Sequence, residues 1–136
     1  MMLIKWKEEY SVNVKEIDEQ HQHLISMINQ LYKNISNVSL DEILLAQTLD
    51  ELIEFAKNHF GTEEKYFDKF GYPEAEHHKS IHRLFTEKIS LFKEGYKNKK
   101  VKISFDLIDF LEDWFLNHLA SEDKKYTKFF NEHGLY

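Results

Sequence analysis

Eight histidines stand in a chain of 136 residues that has no cysteine, and five of them fall at positions that can share one interior. These are His21, His59, His78, His82 and His118. His82 follows His78 by four residues, and Glu63 follows His59 by four. Residues four apart on an α-helix point the same way and can meet one metal ion or one metal pair. A lone inward histidine is ordinarily a hydrogen-bonded core residue. Five gathered in one core without a metal would strand several ring nitrogens, at about 1–3 kcal/mol each. The spacing therefore points to a metal. Imidazole with carboxylate suits iron, with manganese possible. The lack of cysteine excludes disulfides, iron–sulfur clusters and thiolate zinc sites.

The elements that must position these residues are helices. Only four glycines and one proline interrupt the chain, strand-like alternation is absent, and the apolar period is helical. Residues 1–17 read as an extended arm anchored by Trp6, Tyr10, Val12 and Val14. A first helix spans about 18–35, with Leu24, Ile28, Leu31 and Ile35 on its apolar stripe. A second spans about 39–70, opened by Ser39 and Glu42 in a capping-box pattern and closed by Gly71. Its stripe is Leu45, Leu49, Leu52, Ala56, Tyr66 and Phe70. Pro73 suits the first turn of a third helix, which carries Ile81, Phe85, Ile89 and Phe92 and ends near Gly95. A fourth helix spans about 104–119, with Leu107, Leu111 and Trp114, and residues 121–136 form a short helical tail. Short connections imply an all-α, antiparallel, up-down-up-down four-helix bundle in one domain, 1–136. Every helix then contributes an inward histidine.

The remaining histidines fall elsewhere. His23 lies about 200° around the helix from His21, His77 precedes the His78 face, and His133 is in the tail. All three are read as surface residues. Glu74-Ala75-Glu76-His77 is a single Glu-x-x-His match, whereas a ferritin-type site needs two copies. A second carboxylate is expected near His118, and there the spacing leaves a choice. Glu122 at i+4 suits a regular helix, while Asp123 at i+5 needs a helix end, a kink or a π-type widening.

Composition narrows the function classes. A net charge of −6 disfavours a general role on nucleic acid or anionic membrane. The one basic cluster, Lys97, Lys99, Lys100 and Lys102, reads as a solvated connection between helices. No apolar run suggests a signal peptide or a membrane-spanning helix. The expectation is a soluble cytoplasmic domain, and the acidic surface suits a monomer.

Taken together, Asp18-Glu19-Gln20-His21, His59-Phe60-Gly61-Thr62-Glu63-Glu64, His78-Lys79-Ser80-Ile81-His82 and Trp114-Phe115-Leu116-Asn117-His118 followed by Asp123 resemble the hemerythrins, specifically the single-domain bacterial kind. Trp6 and Tyr10-Ser11-Val12 fit as well, so the resemblance covers nearly the whole chain. It implies two iron ions. His78, His82 and His118 would bind one, and His21 and His59 the other. Glu63 and Asp123 would bridge them together with an oxo or hydroxo group, so the resemblance favours Asp123 over Glu122. The iron with two histidines would keep one open position, where dioxygen binds as ligand and takes up two electrons. Where the family often has Trp-Leu, this chain has Trp114-Phe115, and the larger ring either narrows the oxygen pocket or repacks.

The resemblance thus implies reversible dioxygen binding, for carriage, storage or buffering, rather than an enzyme. A pocket walled by Leu24, Trp114 and Phe115 offers no acid to drive cleavage of the O–O bond. Zinc fits poorly because it prefers closed four-coordinate sites. The rival readings are a di-iron enzyme handling O2, peroxide or nitric oxide, and an oxygen- or iron-sensing module.

Overall fold

The computed structural model describes residues 4–36, 42–97 and 105–136. Four helices form the bundle: α1 Lys15–Ser36, α2 Glu42–Phe70, α3 Ala75–Lys97 and α4 Phe105–Trp114. The chain continues from α4 through a π-helix, Phe115–Glu122, and a 3-10 turn, Asp123–Tyr126, into α5, Thr127–Glu132. There is no strand among the described residues. Helix α1 packs on α2 and α4, and α2 packs on α3. The expected Ser39 cap, the lysines Lys99, Lys100 and Lys102, and the side chains of Ile35 and Leu45 lie outside what is described.

The arm is held by side chains that answer its backbone. Asn29 accepts from the Ile4 N–H at 2.9 Å and donates to the Ile4 carbonyl at 2.8 Å. Asp18 accepts from the Ser11 hydroxyl and from the Val12 N–H. Helix α1 begins at Lys15, three residues before the predicted start, because the Asp18 N–H already closes on the Val14 carbonyl at 2.9 Å. Asp18 is thus a first-turn residue tying the arm back, not the residue that opens the helix. Asp18→Ala is expected to cost about 1–3 kcal/mol by stranding the arm's two donors. A lower urea midpoint with an unchanged slope would register it.

Helix α2 ends as its sequence requires. Gly71 takes φ 70°, and the N–H groups of Gly71 and Tyr72 both bond to the Phe67 carbonyl. That left-handed residue satisfies carbonyls left open at the helix end. Pro73 falls in the turn before α3, which starts at Ala75, and α3 runs through Gly95 to Lys97. The helical period of α2 differs from expectation past Glu63. Phe67 is buried, whereas Tyr66 and Phe70 are half-buried.

Two apolar clusters result. The larger contains Ile4, Leu24, Ile28, Leu31, Leu49, Leu52, Phe60, Phe85, Leu107, Leu111 and Phe115. The smaller contains Val12, Val14, Ile17, Phe67, Tyr72, Tyr126 and Phe130. Helices α1 and α2 each cross from one to the other, and a candidate metal-ligating side chain of each falls at the crossing. On α1, His21 sits between Ile17 and Leu24; on α2, Glu63 sits between Phe60 and Phe67.

Candidate metal centre

The layer between the two apolar clusters holds His21, His59, Glu63, His78, His82, His118 and Asp123, each 3% exposed or less. They form two groups whose ligand atoms lie within 4.8 Å of one another: Glu63, His78, His82 and His118 in one, His21, His59 and Asp123 in the other. The two carboxylates join the groups. Asp123 sets Oδ2 3.1 Å from His21 Nε2, and Oδ1 2.8 Å from His78 Nε2 and 3.0 Å from His118 Nε2. Glu63 Oε1 lies 3.1 Å from His59 Nε2 and 3.3 Å from His82 Nε2.

Asp123 reaches this layer because the helix widens. After Trp114 the backbone closes by five residues instead of four, and the Asp123 N–H bonds to the His118 carbonyl. In a regular helix the residue on the His118 face would be Glu122. The π-helix moves that position one residue on. Asp123 is fully buried, while Glu122 is half-buried and pairs with Lys125 Nζ at 3.0 Å. Of the two carboxylates open to choice in the sequence, the structure brings Asp123 to the histidines and leaves Glu122 at the surface.

The chemistry of this donor set fits a metal. All five Nε2 atoms and all four carboxylate oxygens are buried without a hydrogen-bond partner. Native interiors rarely leave such groups unpaired. Here lone pairs converge on lone pairs, which is the arrangement a cation needs. Burial and mutual repulsion push the Glu63 carboxyl up, but the facing imidazoles His59 and His82 outweigh both and hold it well below the ordinary range. Asp123 is likewise pushed up by burial and pulled lower by His118, His21 and His78. The pair stays anionic in the core, where an uncompensated charge is costly.

The other predicted residues divide. His23, His77 and His133 are exposed, so the surface reading of all three agrees with the structure. Leu24 and Phe115 are buried at 1% and 0% exposure. The Phe115 ring packs edge-on against Tyr10, at 5.2 Å between centroids, so the arm accommodates it. Trp114 is half-buried and stacks on His118 at 4.4 Å. It lines an open cleft of about 400 Å³ with Ile81, Phe110 and Asn117. Trp114 therefore sits beside the three-histidine group rather than beside His21 and His59.

One interior group had no place in the sequence reading. Tyr126 is fully buried, and its hydroxyl has no hydrogen-bond partner among the described residues. Burial, then the Asp123 and Glu63 charges, push its phenol well above the usual range, so it keeps its proton. Tyr126 falls three residues past Asp123. It lies in the tail, residues 121–136, for which the sequence reading assigns no inward face.

An antiparallel helical bundle with a buried layer of histidines and carboxylates able to hold a cation defines a class of protein. The family model described as Hemerythrin HHE cation binding domain matches residues 12–130. The chain belongs to the hemerythrin family. It is 27% identical over 127 residues to a Bacteriohemerythrin of Stenotrophomonas maltophilia (strain R551-3), covering 93% of this chain and 81% of that one. It is 29% identical to a Myohemerythrin of Theromyzon tessulatum, covering 90% and 89%. The crystal structure of a wild-type hemerythrin superposes with a TM-score of 0.86 at 27% identity, over 93% of this chain and 96% of that one.

Proposed function

We propose that this chain binds dioxygen reversibly at a pair of iron ions, serving oxygen carriage, storage or buffering. The observation that carries the reading is the convergence of nine buried, unpaired donor atoms on one layer. His78, His82 and His118 would hold one ion and His21 and His59 the other, with Glu63 and Asp123 spanning both. The carboxylate geometry supports this, since Asp123 directs one oxygen to His21 and the other to His78 and His118. When bound, a ferrous pair supplies the two electrons that dioxygen takes up on binding and gives back on release.

The chain's residues supply the remainder. Two imidazoles face one side and three the other, so room for a further donor is left beside His21 and His59. Leu24 follows His21 by one turn and, with Phe115, walls the core next to it. These apolar groups exclude water from the open position. The chain would act as one domain, 1–136, in the cytoplasm, a reducing compartment with which the lack of thiols is compatible.

Anaerobic reconstitution with Fe(II), followed by cycles of air and argon, tests the reading. A visible charge-transfer band is expected to appear with air and disappear under argon, with about two irons per chain. A protein that consumes reductant and returns no oxygen would be an oxidase instead. One metal per chain, or a preference for zinc, would end the di-iron reading.

A further inference from the structure

Two of the inward imidazoles have their second nitrogen fixed by partners of different charge. His59 Nδ1 lies 2.6 Å from Gln20 Oε1, and His82 Nδ1 lies 3.0 Å from Glu64 Oε2. His21 Nδ1 and His118 Nδ1 have no hydrogen-bond partner among the described residues.

The direction of the Gln20 bond follows from its neighbours. The Thr62 hydroxyl donates to the Asn58 carbonyl at 3.0 Å, one turn back on α2. Its oxygen therefore has only lone pairs to offer Gln20. Gln20 turns its amide nitrogen to Thr62 Oγ1, at 3.1 Å. The amide oxygen must then face His59, whose Nδ1 carries the proton and donates it. This leaves the His59 Nε2 lone pair aimed at the buried layer. Glu64 is a carboxylate and can only accept, so His82 takes the same tautomer. The two rings are oriented alike, but one leans on a neutral amide and the other on an anion.

We propose that Glu64 and Gln20 are positioning residues that make the two halves of the metal group electronically unequal. An anionic acceptor draws the Nδ1 proton away and makes the opposite nitrogen a stronger donor; a neutral amide orients the ring with much less of that effect. Glu64 thereby strengthens the His82 donor on the three-histidine side, which favours the oxidised state there. Gln20 leaves His59, on the side with the open position, the weaker donor and more readily ferrous. Glu64 is about a third exposed on its side chain, so water tempers its influence without removing it. The inference rests on the metal-pair reading above.

Four forms of the iron-loaded protein separate charge from orientation: wild type, Glu64→Gln, Glu64→Ala and Gln20→Glu. Iron content, chelator competition for Fe(II), and midpoint potentials by spectroelectrochemistry are read for each. Glu64→Ala is expected to lose about 10–100-fold in metal affinity, as for other outer partners of ligating histidines. Glu64→Gln keeps an acceptor, so it recovers affinity, yet its midpoint moves positive of wild type. Gln20→Glu moves negative. Two irons per chain with midpoints unmoved in both Glu64→Gln and Gln20→Glu would overturn the inference and leave the metal pair standing. A wild-type chain that does not hold two irons would instead overturn the metal-pair reading on which it rests.

Discussion

Asp123→Ala is expected to abolish binding of the metal pair, while Glu122→Ala leaves it intact. Loss of an outer-shell partner alone costs about 10–100-fold in affinity. Asp123 faces three imidazoles from α1, α3 and the π-helix at 2.8–3.1 Å, so its removal should exceed about 100-fold. Glu122 is half-buried and pairs with Lys125, so losing it costs a surface ion pair of about 0–1 kcal/mol. Iron content after desalting gives the result, with circular dichroism to show that both variants remain helical. Metal retained by Asp123→Ala and lost by Glu122→Ala would reverse the assignment and mean that the helix closes regularly past His118 in the loaded protein.

This pair of residues also marks where sequence reasoning stops. Helical phase placed His21, His59, Glu63, His78 and His82 on inward faces, because α1, α2 and α3 are regular through those positions, and it placed His118 by its four-residue step from Trp114, the last residue of α4. It could not place Asp123, since a π-turn leaves no spacing signal of its own. The resemblance to a family resolved what periodicity left open. Tyr126 and Phe130, both fully buried in the smaller apolar cluster, lie in the tail, for which no apolar stripe is drawn from the sequence. Phe67 was missed for another reason. The stripe on α2 was continued through Tyr66, although Phe67, four past Glu63, is the residue that shares its face. Tyr66 reaches outward instead, where its hydroxyl donates to Glu16 at 2.7 Å.

The metal-free chain should be markedly less stable at neutral and alkaline pH than the loaded one, and the gap should narrow on acidification. A ligand that binds only the folded state adds about 4 kcal/mol at a thousand times its dissociation constant. Without it, two carboxylates and five imidazoles are buried with their donor atoms unpaired. Protons are the remaining source of positive charge. Burial lowers the affinity of His59 for a proton, but Glu63 outweighs this and raises its pKa above the ordinary 6.5. A raised histidine pKa stabilises the fold below the unfolded value, and that contribution is lost as pH climbs through the folded value. Glu63 and Asp123 run the other way. Their lowered pKa values give stability above the unfolded carboxylate range that is lost only in strong acid. Between about pH 8 and about pH 6 the slope of the metal-free chain therefore belongs to the imidazole, and stability rises as pH falls. In the loaded protein the same protons compete with the metal for Nε2, so acid weakens binding. Thermal melts of both forms across that range should converge toward pH 6. A metal-free chain whose melting point falls with acid from pH 8, in parallel with the loaded one, would show that His59 does not gain its proton against Glu63.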